Sequence, residues 1–457
     1  MNNITSKTGI NRRSFLQGTA AAGASLMFSP FVLGQTSESS SSADDINVAL
    51  LGAGTEGQVL MNDCKDLPGI KFKAVCDIWK AYNAKRTTRL LQAYGHDVKQ
   101  YEDYKDMLAD QKELDLDAVI IATPDFWHSP QTCDCLNAGL HVYCEKEMSN
   151  TVEGAKAMVE AAKKTGKLLQ IGHQRRSNPR YLHCYNKLIK EANLLGQITT
   201  INGQWNRGRN SCEDFGFPEG TEIDAATLEK YGYKSMQQFK NWRWYKGLGG
   251  GPIVDLGSHQ IDVYSWFLGT NPKTVMASGG IDYWKQHDWY DNVMAIYEYD
   301  TKLGPVRAFY QTITTNSAQG YFEQFMGIEG TLVISEASAR GTAYREAAAT
   351  AEKWEPWVKL GYLKAVEEEK PAETEDTGVV LDVRESPTPP AYDIPVSMEG
   401  KPYHQPHLEN FFAAIRGKAK LNCPPEVGYE TAVTVLKVNE AIEAAKRLQF
   451  DQKEFEV

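Results

Sequence analysis

Three side chains able to hold or move a proton share the stretch Gly249-Gly250-Gly251-Pro252-Ile253-Val254-Asp255-Leu256-Gly257-Ser258-His259-Gln260-Ile261-Asp262. Asp255, His259 and Asp262 are spaced by four and then three residues, which puts them on one stripe of a helix. Three glycines and a proline suit the start of that helix, because proline is tolerated in the first turn. Ile253, Leu256, Val263 and Phe267 occupy the other faces, so apolar burial alone does not account for the polar stripe. An imidazole titrating near neutrality can take a proton from a hydroxyl, and a carboxylate one turn away can orient it. The same trio would serve a divalent metal or a helix-stabilising polar network, and spacing alone leaves all three readings open. No further His or Cys cluster accompanies it.

A second constellation lies near residue 50. The apolar run Ile46-Asn47-Val48-Ala49-Leu50-Leu51 reads as a buried parallel strand and leads directly into Gly52-Ala53-Gly54-Thr55-Glu56-Gly57. In such a G-x-G-x-x-G loop the first glycine makes the tight turn and the second admits a pyrophosphate. The third lets the following helix pack close, with its N-terminus facing the phosphates. A further strand, Phe72-Lys73-Ala74-Val75-Cys76, ends in Asp77, 20 residues after Gly57. An acid there accepts hydrogen bonds from ribose hydroxyls and repels a 2′-phosphate, which favours NAD over NADP. Lys80, close by, keeps NADP in view.

The alternation continues through Asp117–Ala122, which ends in Thr123-Pro124-Asp125-Phe126-Trp127-His128, and His141–Cys144, which ends in Glu145-Lys146. Ligands in doubly wound sheets bind beyond the carboxyl ends of strands, where all these polar tips lie. With these residues the chain resembles the glucose–fructose oxidoreductase / inositol dehydrogenase (Gfo/Idh/MocA) family. The family's Glu-Lys-Pro appears as Glu145-Lys146-Glu147, with Glu147 in place of proline, and its D-x-G-x-H-x-x-D signature matches at Asp255, Gly257, His259 and Asp262. The resemblance implies that Lys146 lies beside the nicotinamide and polarises the reacting oxygen. It implies that His259 is the acid/base, Asp255 its helper and Asp262 structural. It also implies cofactor contacts from Thr123, Pro124, His128 and Glu145. Gly172-His173-Gln174-Arg175-Arg176-Ser177-Asn178-Pro179 is similar to the segment opening the family's second domain, which adds Gln174 on the cofactor side and Arg176 on the substrate side.

The elements required to position these groups imply an α/β protein. A Rossmann doubly wound parallel sheet spans 46–170, and an α/β domain with a large, mostly antiparallel open sheet spans 171–457. Alternating strands are expected at Val293–Tyr299, Val306–Ile313 and Gly327–Ile334, and a helix at His407–Arg416 ended by Gly417. Residues 341–400, with Glu367-Glu368-Glu369 and Pro387-Thr388-Pro389-Pro390, read as an insertion. Trp205, Arg207, Arg209, Trp242, Arg243, Trp244 and Tyr245 cluster at the two ends of 205–246. Of these, Trp205, Arg207 and Trp244 are candidate substrate contacts, although a dimer interface has the same composition.

At 457 residues, with net charge −10, the chain is unsuited to nucleic acid or an anionic membrane as its main partner. Eight cysteines show no CxxC pair. Arg12-Arg13-Ser14-Phe15-Leu16 before an uncharged stretch from Gly18 to Gly34 reads as a twin-arginine export signal, followed by a polar tether over 35–45. The segment is short and weakly apolar for a membrane span. The combined expectation is an exported, periplasmic NAD-dependent oxidoreductase acting at a secondary hydroxyl of a sugar or glycoside, oxidation at the 3-position being one version. Export in the folded state suggests a retained, recycled cofactor, and the family resemblance suggests a homo-oligomer. Redox-assisted glycoside cleavage and a non-catalytic sugar-binding role are the competing readings.

Overall fold

The run Ile46–Leu51 forms β1, apolar at five of its six positions because parallel strands are covered by helices on both faces. In the computed structural model, which describes residues 44–212, 214–337, 340–366 and 389–457, β1 pairs in parallel with β2 (Ile70–Cys76) and β4 (Ala118–Ile121). With β3 (Lys99–Tyr101), β5 (His141–Cys144) and β6 (Leu169–Ile171) the sheet runs β3-β2-β1-β4-β5-β6. The order reverses between β1 and β4, which opens a crevice at the strands' carboxyl ends. The Arg12-Arg13 leader and the Glu367–Glu369 and Pro387-Thr388 stretches lie outside the described residues.

The second sheet, ten-stranded among the described residues, runs β14-β15-β13-β12-β11-β7-β10-β9-β8-β16. Its strands are β7 (Ile198–Asn206), β8 (Thr274–Gly280), β9 (Asn292–Thr301), β10 (Gly304–Ile313), β11 (Tyr321–Gly327), β12 (Gly330–Ile334), β13 (Gly341–Arg345), β14 (Lys364–Ala365), β15 (Ala391–Asp393) and β16 (Leu448–Gln449). Pairing is antiparallel except between β7 and β10. The strand expected over Gly327–Ile334 is instead a hairpin end. Ile328 and Glu329 reverse the chain, and Gly327 belongs to β11 because only a residue without Cβ fits against the Leu195 carbonyl, 2.1 Å from where a Cβ would stand. Parts of 341–400 add β13, β14 and β15 to the sheet's edge.

The long helix Gly251–Leu268 and the helix Pro425–Ala444 pack beneath this sheet, while Met276, Met294 and Ile296 stand exposed on its open face. Arg175, fully buried after β6, pairs with Glu323 of β11 and, at 2.9 Å, with Glu336. The helix Gln405–Ile415 returns to the first half, placing Leu408, Phe411 and Phe412 in one core with Val48, Leu50 and Ile120. All eight cysteines are free thiols. Among the described residues no helix is long and apolar enough to cross a membrane.

The glycine loop is fixed by contact. A Cβ on Gly57 would lie 1.9 Å from the Gly52 carbonyl oxygen, and Gly52 itself has φ +85°. Gly57→Ala must therefore push the helix Thr55–Cys64 off the strand, at a cost of about 2–3 kcal/mol. Thermal unfolding should show a clear loss of stability, and an unchanged midpoint would contradict the close packing.

Candidate active site

Between the two sheets lies a cavity of about 720 Å³, within the size range of small-ligand sites. Its nucleotide-side wall is the loop after β1 and the tips of β2, β4 and β5. Gly52, Gly54, Thr55, Glu56, Asp77, Thr123, Pro124, Glu145 and Lys146 all line it. Gly57 does not line it and serves through the helix packing described above. The helix Thr55–Cys64 has no side-chain cap at Gly54, so its first amide N–H groups remain available for an anion. A Cβ on Gly54 would meet only Asn83 Nδ2, at 3.9 Å, leaving the loop open to close approach from the cavity. The Asp77 carboxylate, which lines the cavity, accepts the Ala53 and Trp79 amide N–H groups at 2.8 and 2.7 Å and the Asn83 side-chain amide at 3.3 Å. Burial raises its pKa against those amides. These features fit a dinucleotide: Gly52–Gly57 would hold the pyrophosphate and Asp77 the adenosine ribose. Lys240, absent from the sequence expectations, also lines this end and faces Asp77, whereas Lys80 does not line the cavity.

The opposite wall comes from the second half: Gln174, Trp205, Arg207, Trp244, Asp255 and His259. His259 is 7% exposed, its Nδ1 has no partner, and its ring lies 5.3 Å from that of Trp205. Burial, reinforced by the Lys146 ammonium, holds the imidazole well below its ordinary pKa, so the ring is neutral and able to accept a proton. Trp244 Nε1 and Gln174 Oε1 are likewise buried without partners. Buried polar atoms are rarely left unsatisfied, which marks this wall as a ligand surface. One face of Trp205 is already stacked on Tyr321, at 4.5 Å, and Trp244 stacks on His287 at 5.2 Å.

Three sequence expectations are corrected. Asp255 does not orient His259. Its carboxylate instead takes Arg243 Nε at 3.1 Å and Lys146 Nζ at 3.4 Å, while Lys146 Nζ also donates to the Asp255 carbonyl at 2.6 Å. Burial opposes ionisation of Asp255, but Lys146, Arg243 and Arg207 outweigh it and keep the carboxyl well below the usual carboxylate range. Arg176 is not a substrate contact, because it is locked in a pair with Asp262 at 2.7 Å, covered by Trp266, away from the cavity. His128 is not a cofactor contact either. Its ring nitrogens face the Thr123 and Glu147 carbonyls at 2.6 and 2.7 Å, bracing the two strand-end loops from behind. Asp262, paired with Arg176 and Thr431, is structural, and Asp255 and Asp262 are both committed to cations rather than to a shared metal. The peptide between Lys146 and Glu147 is cis.

Sequence reasoning missed two contributors. Arg243 fixes Asp255 from the segment just before the long helix. His404, preceding the helix Gln405–Ile415, reaches Glu56 at 3.3 Å and lies close to Glu145. Burial, with the Glu56 charge adding to it, pushes Glu145 up to about 7. Glu145 accepts the Tyr143 hydroxyl at 3.0 Å. Arg243 stood in a recognisable Trp-Arg-Trp cluster, whereas nothing local linked His404 to a loop some 350 residues away.

The chain is similar to known proteins in sequence and fold. A family model described as "Oxidoreductase family, NAD-binding Rossmann fold" matches residues 46–173, and one described as "GFO/IDH/MocA C-terminal domain" matches 187–333. Inositol 2-dehydrogenase of Salmonella paratyphi B is 29% identical over 208 residues, covering 45% of this chain and 49% of the relative. A scyllo-inositol 2-dehydrogenase (NADP(+)) of Bacillus subtilis is 29% identical over 239 residues, 51% of this chain and 55% of the relative. The chain thus spans about half the length of the curated relatives it matches. Levoglucosan dehydrogenase, solved in complex with NADH, superposes with a TM-score of 0.64 at 17% identity, covering 89% of this chain and 100% of that one. At that identity the likeness establishes the fold.

Two measurements follow from the corrected pairs. Arg176→Met strands Asp262 in the interior and should cost about 3–5 kcal/mol of stability. Substrate affinity should stay unchanged in the protein that remains folded, and a weakened affinity with normal stability would return Arg176 to the binding wall. Asp125, buried behind this site, is pushed up to about 7 by burial and by Asp255, with Lys146 opposing. Because its ordinary value is 3.8, folding takes up a proton there between about pH 4 and pH 7. Its contribution to stability is therefore present at the low end and lost as pH rises through about 7. Thermal unfolding of Asp125→Asn across this range should show a shallower decline than wild type, and identical slopes would contradict the assignment.

Proposed function

The chain belongs to the Gfo/Idh/MocA oxidoreductase family, and on that premise we propose that it oxidises a secondary hydroxyl of a sugar, polyol or glycoside with NAD as partner. One observation carries the reading. A single cavity joins the glycine loop and Asp77 to Lys146 and His259, so a dinucleotide held at one end would face the proton-handling groups at the other. A bound nicotinamide would supply the hydride acceptor.

The chain's own groups do the rest. The Lys146 ammonium, held by the Asp255 carbonyl and carboxylate, retains an N–H to donate to the substrate oxygen and stabilise it as it loses its proton. His259, neutral and unpartnered at Nδ1, accepts that proton. Asp255 balances Lys146 and Arg243 together, so the site keeps a surplus of positive charge where the oxygen becomes anionic. Asp77 favours NAD by repelling a 2′-phosphate, with Lys240 working in the other direction. The proposal includes oxidation at the 3-position, where the resulting ketone acidifies the neighbouring C–H.

The proposal extends to cellular placement. Arg12-Arg13 and the stretch behind them support export of the folded protein, which would carry its nucleotide along and recycle it in place. Met276, Met294 and Ile296 on the open sheet face support a homo-oligomer.

Lys146→Met and His259→Ala should each reduce turnover on a panel of sugars by about 100-fold or more while nucleotide binding stays within a few-fold of wild type. Full turnover in either variant would remove that residue from the chemistry. Nucleotide should be recovered from the purified wild-type protein, and its absence would argue against retention.

A further inference from the structure

We propose that Arg207 forms a carboxylate subsite and that the preferred substrate is a sugar acid rather than a neutral sugar. The inference rests on the reading of this cavity as a sugar site and adds the substrate's charge to it. Arg207 follows β7 directly, its backbone N–H donating to the Ile313 carbonyl at 2.8 Å, and its side chain lines the cavity. Its neighbours on the cavity wall are used up. Asp255 bonds Lys146 and Arg243 and feels Arg207 only through its charge, and Glu336 serves Arg175 and Gln174. Among the described residues Arg207 forms no ion pair and no side-chain hydrogen bond, and its guanidinium sits 5.6 Å from the ring of Trp205, the same ring that faces His259. A guanidinium facing a cavity whose carboxylates bond other groups is an incomplete pair, and its planar fork matches a carboxylate in two parallel hydrogen bonds. Trp244 adds a buried indole N–H with no partner on the same wall. One unpaired cation suits a monoanion, which favours a sugar carboxylate over a phosphate dianion. A carboxylate held at Arg207 would lie on the Trp205 side of the cavity, toward His259 and away from the glycine loop.

The test uses the full purified protein loaded with NAD, and reads binding by calorimetry separately from turnover. The probes are glucose against glucuronate, galactose against galacturonate, and glucose 6-phosphate. The expected result is that at least one acid binds about 10- to 100-fold more tightly than its neutral partner, with the preference shrinking as salt is raised. Arg207→Met should lose that ratio and Arg207→Lys should keep part of it, with NAD affinity reporting that each variant is folded. If Arg207 only steadied Trp205, the acid-to-neutral ratio would not move. Equal affinity for acids and neutral sugars in wild type, an unchanged ratio in Arg207→Met, or stronger binding of the phosphate ester overturns the proposal. Loss of turnover on every sugar with the acid preference intact would overturn the oxidoreductase reading and leave the subsite standing.

Discussion

The contact on which the site depends is the one between Lys146 and Asp255. It joins the tip of a strand in the first sheet to a helix under the second, and does so through both the carbonyl and the carboxylate of one residue. An isolated ammonium in this position would be mobile and costly to bury, and an isolated carboxylate would protonate. Together, and with Arg243 as a third member, the carboxylate stays ionised and the two side chains hold each other in place. Burial keeps His259 neutral, and the ammonium that holds Asp255 adds to this by disfavouring a proton on the imidazole. The same ion cluster thus fixes the geometry of one group and reinforces the protonation state of the other.

What was legible in the sequence was what neighbours in sequence decide. The turn at Gly52, the packing at Gly57 and the acid at Asp77 are dictated by backbone sterics within one βαβ unit, and the structure places them in that unit. The helix over Gly251–Leu268 likewise follows from its own pattern. Partner choice was a different matter. Asp255 lies one turn from His259 and was naturally assigned to it, yet a cation 109 residues away in sequence and another 12 away compete for the carboxylate. A charged pair outweighs a hydrogen bond to a neutral ring. Arg176 and His128 are site residues only by what the family resemblance implies. Each faces away from the cavity because a buried polar partner waits on the other side of its loop. The reversal at Ile328-Glu329 is not marked locally, because a turn of only two residues separates the end of β11 from the apolar run of β12.

The carboxylates in and behind the cavity walls show opposite tendencies. Asp255 and Asp262 meet cations and remain ionised, whereas Glu145 and Asp125 are buried with other acids close by and titrate near neutrality. Glu145 faces Glu56 and His404 at the glycine loop, where an incoming anion would add further negative charge. A proton on Glu145 would ease that repulsion without displacing any of them.

The return of the helix Gln405–Ile415 to the first sheet has a consequence for how the molecule comes apart. Leu408, Phe411 and Phe412 are buried in the core that also holds β1, at about 2 kcal/mol or so per side chain. The polypeptide therefore visits the first half, leaves it for more than two hundred residues, and comes back to finish it. Residues 46–170 made alone would carry an unfilled apolar socket, and the remainder would carry an orphaned plug. The first half is thus completed by side chains that arrive late in the sequence.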